Sequence, residues 1–146
     1  MKLYTIGFTK KSARRFFELI KLHNIDVLVD VRLNNKSQLA GFTKEEDLEY
    51  FLSEICKCRY YHNILFAPTK EILDSYKKNQ ITWDEYVTQY EPLIEKRKAV
   101  QFFLKLFSEY DNVCLLCSEP TPEHCHRRLL AEMIKDENPS IDIMHL

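Results

Sequence analysis

Apolar residues along this chain fall into two kinds of run, short near-continuous ones and longer ones with a helical period. LYTIG (3–7) is a short β-prone run that ends at Gly7. Ser12 then stands where a helix cap belongs, and Ala13, Phe16, Phe17 and Ile20 follow the helical period behind it. VLVDV (27–31) is apolar except for Asp30, the pattern of a strand covered on both faces. Thr43 with Glu46 has the spacing of a capping box, followed by the stripe Leu48, Phe51, Leu52 and Ile55. RYYH (59–62) reads as a third strand. The helical pattern over 69–110 holds a second capping box, Thr82 with Glu85. Pro92 is expected to end or kink the pattern, and the stripe Ala99, Phe103, Leu106, Phe107 and Tyr110 follows. NVCLLC (112–117) is a fourth strand. Thr121 and Pro122 pair a cap with a proline suited to the first helical position, and Leu129, Leu130, Met133 and Ile134 carry the last helix. IDIMHL (141–146) is the fifth strand.

Strands alternating with helices predict an α/β fold, a mostly parallel sheet of about five strands flanked by helices, Rossmann-like in its layers. The helical insert between the third and fourth strands is larger than one crossover needs and is expected to cap one edge of the sheet. At 146 residues, with no repeat and no linker, the chain is expected to form one domain.

Composition narrows the class of function. Lys plus Arg (21) nearly balance Asp plus Glu (22), so global charge gives no argument for nucleic acid or membrane. No apolar run approaches the roughly 20 residues of a spanning helix. The N-terminus lacks a signal-peptide pattern, and the five cysteines have no disulfide-framework spacing. They read as thiols in a reducing cytoplasm.

In open parallel sheets, ligands bind beyond the carboxyl ends of the strands. There the sequence puts Gly7, Thr9 and Lys10 after the first strand, and Asp30 and Arg32 at the end of the second. His62 ends the third, Cys117 and Glu119 the fourth, and His145 the fifth. Arg32 offers a planar fork suited to phosphate or carboxylate. Helix starts after Ser12 and Thr121 offer unpaired N–H groups to an anion, and Gly7 allows close approach of a backbone. Asn34, Asn35 and Gln38, ahead of Gly41, are placed as a loop lining the site. The alternative is that Asp30 and Arg32 pair with each other. No phosphate-loop or dinucleotide fingerprint is present.

CSEPTPEHCHRR (117–128) concentrates the remaining chemistry. Cys125 is expected in the first turn of the last helix, where orphan N–H groups and His126, Arg127 and Arg128 would favour a thiolate. A packed, inert cysteine beside Leu129 is the alternative. Cys114 and Cys117 are spaced as CxxC, yet residues three apart on a strand face opposite ways. Cys117, Cys125, His126 and His145 form a Cys2His2 set only where the fold assembles them, so no residue is assigned to a metal and no cofactor is named. Cys56 and Cys58 read as packing residues, and His23 as a helix C-terminal residue.

The chain resembles the domain-of-unknown-function family numbered 488. The resemblance rests on TIGFTKKS, VLVDVRLNNKSQLAGF (27–42), APTKEILDSYK (67–77), TWDEY (82–86), LLCSEPTPEHCHRRLLAE (115–132) and the terminal IMHL. The CxEx5CHR arrangement of Cys117, Glu119, Cys125, His126 and Arg127 is its distinctive element. It implies a cytoplasmic α/β domain without an agreed reaction, with emphasis on Gly7, Asp30, Arg32, Gly41, Cys117, Glu119, Cys125, His126, Arg127 and His145. DVR is also similar to a piece of rhodanese-like domains, but their active-site loop is not evident.

The expected function is an enzyme or binding domain for a small anionic, phosphate- or nucleotide-like ligand. Arg32 and Arg127 would hold the anion, with Gly7, Lys10, His62 and His145 contributing to its site. Asp30 or Glu119 would act as acid or base, and Cys117 or Cys125 as nucleophile or ligand assisted by His126 or His62. Two alternatives stand beside it: a non-catalytic interaction module with a structural, zinc-stabilised Cys/His segment, and nucleic-acid binding through KKSARR (10–15) and EKRKAV (95–100), which ranks below a small ligand.

Overall fold

The computed structural model describes residues 1–36 and 41–146. Five parallel strands form one sheet in the order β3-β2-β4-β1-β5. They are β1 (Lys2–Gly7), β2 (Val27–Asp30), β3 (Arg59–His62), β4 (Asn112–Cys117) and β5 (Asp142–His145). Among the described residues six α-helices connect them: α1 (Ala13–Leu22), α2 (Glu45–Phe51), α3 (Lys70–Lys77), α4 (Trp83–Arg97), α5 (Ala99–Phe107) and α6 (His126–Glu137). The expected α/β architecture and the helical insert between β3 and β4 are both present. No helix among the described residues is long and apolar enough to cross a membrane.

Alternation along the strands builds two cores. Leu3, Val27, Val29, Val113, Leu115 and Cys117 face one way and pack under α3, α4, α5 and α6. Tyr4, Ile6, Leu28, Cys114 and Leu116 face the other way, under α1 and α2. With both faces covered, the central strands need apolar residues at every position, which is why they read as near-continuous runs. Cys114 and Cys117 lie on opposite faces, as their spacing requires.

Three local expectations are corrected. The α2 cap is Lys44, with no side-chain cap bond, so the Thr43–Glu46 box does not form. The Thr43 carbonyl instead accepts from the buried Arg32 guanidinium at 2.7 Å, which holds the Gly41–Thr43 turn against the sheet. Pro92 neither ends α4 nor divides it. The fully buried stripe of Tyr86, Tyr90 and Ile94 holds that helix together past a residue that costs an unsupported helix about 3 kcal/mol. Lys98, at φ 53°, breaks the path into α5. Third, α6 starts at His126 with Cys125 as N-cap, not at Thr121 and Pro122. The Cys125 N–H reaches the Pro122 carbonyl at 3.3 Å. These residues close a turn before any helix begins.

Helix α4 is pinned through polar contacts to the turn that follows β3. The Tyr90 hydroxyl donates to the Phe66 carbonyl at 2.7 Å, and Arg97 Nη1 donates to the carbonyls of Leu65 (3.0 Å) and Ala67 (2.7 Å). Replacing Tyr90 with Phe should lower stability by about 1–3 kcal/mol, because a buried carbonyl loses its donor. Urea unfolding checks it, and an unchanged midpoint would show that this bond does not anchor the insert.

Candidate functional site

The site is built around one close approach. After β4 the chain passes over the end of β1, and the Glu119 carbonyl lies where a Cβ on Gly7 would be, with only 1.6 Å between them. Gly7 has an ordinary negative φ, so it is the missing side chain and not the backbone angle that the position uses. Arg127, fully buried on α6, fixes the crossing: its Nη1 donates to the same Glu119 carbonyl at 2.7 Å and its Nε to Thr5 Oγ1 at 3.2 Å. The second glycine, Gly41, has open space around it.

Held this way, the loop after β4 returns Cys125 and His126 to the end of the strand that carries Cys117. The ligand atoms of these three buried side chains lie within 4.8 Å of one another. His126 Nε2 is 2.7 Å from the Val31 carbonyl. A carbonyl only accepts, so Nε2 carries the proton, and in the neutral ring Nδ1 presents a lone pair. That Nδ1 is 3.7 Å from Cys117 Sγ. The neighbouring Cys125 thiol pulls the Cys117 pKa below its ordinary value against the penalty of burial; the Ser118 N–H and Arg127 act in the same direction. The Cys125 pKa moves well up through burial, with the neighbouring Cys117 sulfur acting the same way. Of the pair, Cys117 is the sulfur that carries negative charge most readily.

On the neighbouring strand end, Asp30 and Arg32 pair with each other. Arg32 Nε and Nη2 meet the two carboxylate oxygens at 2.8 and 2.7 Å, and the Arg32 backbone N–H donates to the same carboxylate at 3.1 Å. The Tyr60 hydroxyl donates to Asp30 at 2.6 Å, and burial beside that carboxylate pushes the phenol pKa well up. Phe8 covers the guanidinium at 5.3 Å. This buried pair closes the turn that leads from β2 into residues 33–36.

A cavity of about 360 Å³ opens over these groups. That is within the range of small-ligand sites, about 300–1,000 Å³. Cys117, Cys125 and His126 border it together with Arg32, Asn34 and Glu119. Its other wall comes from the insert: Leu73, Tyr76 and Lys77 of α3, and Trp83 and Tyr86 of α4. Trp83 stacks on Tyr86 (5.0 Å, 14°) and on His124 (5.1 Å, 27°), so insert and loop meet ring to ring.

The strand-end convergence expected from sequence is therefore real in its placement, but it divides. Arg32, Cys117, Glu119, Cys125 and His126 reach the cavity. Asp30 is fully buried behind Arg32. Gly7 and Arg127 lie beneath the loop as its support. His62 turns its Nε2 to the Arg32 carbonyl at 2.8 Å, and His145 is paired with Thr5 at 2.6 Å on the β5 side of β1, outside the three-residue cluster. Lys10 is exposed at a positive φ and does not line the cavity. Asn34 lines it, Asn35 is buried with its amide on the Tyr60 hydroxyl, and Gln38 falls outside the described residues. Sequence reasoning missed Tyr76, Lys77, Trp83, Tyr86 and His124. The helical character of 69–110 was visible, but not that the aromatic residues of α3 and α4 would face the carboxyl edge of the sheet.

The family model described as domain of unknown function DUF488 matches residues 12–134, and the chain belongs to that family. A search of the curated proteins and one of the solved structures each found no match.

Two outcomes are expected here. Gly7→Ala should lower stability by about 1–3 kcal/mol, since the Glu119 backbone must move to admit a methyl group; thermal unfolding measures it, and a wild-type melting temperature would contradict the close approach. In chelator-treated protein, iodoacetamide near neutral pH should modify Cys117 first. Cys58, whose pKa burial pushes up to about 12, and Cys114 should stay unmodified until the protein unfolds. Peptide mass spectrometry reads the order, and earlier modification of Cys58 or Cys114 would reverse the assignment.

Proposed function

We propose that the protein is an enzyme acting on a small anionic ligand bound in the cavity between the carboxyl edge of the sheet and the α3–α4 insert. The observation that carries this reading is the meeting of Cys117, Cys125 and His126 at the cavity wall, on the strand edge where parallel sheets bind ligands. Two sulfurs and an imidazole within one small space are chemically reactive, and Gly7 and Arg127 are committed to holding their loop in place. The anion preference follows from the rest of the lining. Lys77 supplies a cation, and Arg32 borders the cavity although most of its fork is engaged by Asp30 and Thr43. The N-terminus of α6 carries no side-chain cap, so its first N–H groups and its dipole favour negative charge on this side. Trp83 and Tyr76 provide apolar surface for the body of the ligand.

Trp83 is the chain's one tryptophan and lines the cavity, so its fluorescence reports occupancy directly. Titration with inorganic phosphate, ribose 5-phosphate and adenosine monophosphate should give a saturable change with at least one of them. Lys77→Ala should weaken that binding by roughly three- to tenfold. If no probe in the series changes the fluorescence of folded protein, the cavity does not take small anions.

A further inference from the structure

We propose that Cys117, Cys125 and His126 bind a Zn²⁺ ion, with the fourth coordination position open to the cavity. The argument is geometric. Bond lengths of about 2.3 Å to sulfur and 2.0–2.1 Å to nitrogen at a tetrahedral centre put a sulfur and a nitrogen ligand about 3.5 Å apart, and two sulfurs about 3.8 Å apart. Cys117 Sγ lies 3.7 Å from His126 Nδ1 and 3.8 Å from Nε2, and one ligand atom from each of the three side chains fits within 4.8 Å. Small rotations would bring them onto one ion.

The second observation is the orientation of the imidazole. Metal-bound histidines characteristically give their other ring N–H to a carbonyl or carboxylate, which fixes the tautomer and aims the free nitrogen. His126 does this through Val31 at 2.7 Å, and Val31 directly follows β2, whereas Cys117 ends β4. The bond spans the sheet edge and leaves Nδ1 as the ring nitrogen free to take a metal, with Cys117 Sγ 3.7 Å from it and 3.8 Å from Nε2.

Charge and burial agree with the same occupant. Two thiolates balance a divalent cation, so the loaded centre is neutral, as residues only 5%, 3% and 6% exposed require. Two sulfurs and one imidazole select zinc over magnesium or calcium, which take oxygen ligands. Three protein ligands and an open position characterise catalytic zinc sites, whereas structural ones are closed by four. Every ligand borders the cavity, so the open position is filled from it, by water or by a polar atom of the ligand. His145, the fourth residue of the set considered from sequence, is held by Thr5 and is not a ligand. The metal site stands on the three side chains alone; only the identity of its fourth ligand rests on the function proposed above.

The test uses the whole chain. Protein purified without chelator should contain zinc in a stoichiometric amount. Reduced, metal-stripped protein should take up Co²⁺ with the visible bands of a tetrahedral centre and a thiolate-to-cobalt charge-transfer absorption. Cys117→Ser, Cys125→Ser and His126→Ala should each weaken binding by at least about tenfold, with charge-transfer intensity falling in the two cysteine variants. His145→Ala should leave affinity and spectrum unchanged. Wild-type protein that is folded by circular dichroism and takes up no Co²⁺, or binds it without the charge-transfer absorption, overturns the proposal, even if a variant fails to fold. So does a folded Cys117→Ser protein that binds Co²⁺ as tightly as wild type. Failure of this proposal and of the proposed function are separable. A Trp83 response without metal binding removes zinc and keeps the ligand site; metal binding without any Trp83 response does the reverse.

Discussion

The contact on which the site depends is the Glu119 carbonyl resting on Gly7, held there by Arg127. It forces the chain to turn back over the sheet immediately after β4, and this return brings Cys125 and His126 alongside Cys117. A glycine is required because any side chain would occupy the carbonyl's position. An arginine suits the other half because its fork reaches a carbonyl and a hydroxyl at once. Among the described residues no carboxylate forms an ion pair with Arg127, and its Nη2 makes no hydrogen bond. An uncompensated buried cation is expensive, and it lies near enough to Cys117 to favour negative charge on that sulfur.

The two buried arginines thus do different work. Arg32 is neutralised by Asp30, and the pair, with Tyr60 and the Thr43 carbonyl, organises the chain that leaves β2. Arg127 keeps its charge and organises the chain that leaves β4. Between these two fixed turns the cavity opens, and the α3–α4 insert closes its outer side through Trp83 and His124. Cys117 at the end of β4 and Cys125 and His126 at the start of α6 border the cavity, and the added helices enclose it.

The fold was largely legible because its signals are local. Near-continuous apolar runs marked β2 and β4, and helical stripes marked α1, α5 and α6. Capping read correctly where nothing competed with it: Ser12 accepts the Arg15 N–H, and Thr82 and Glu85 form their box. It misled at Thr43, whose own carbonyl binds Arg32, and at Thr121, in the turn that follows the crossing over Gly7. In both places a long-range contact outweighed a local preference.

The sequence by itself determined the layered α/β class, the alternation of faces that separates Cys114 from Cys117, and the strand ends where polar residues gather. These follow from periodicity and chain direction, which a linear pattern records. Tertiary structure alone decided that β4 lies between β2 and β1, that Arg127 supports the loop while Arg32 borders the cavity, and that His126 joins the two cysteines while His145 stays with Thr5. It also turned the aromatic residues of the insert onto the sheet edge. Each of these depends on which distant segments become neighbours, and strand order and loop path are set by packing energies summed over the whole molecule.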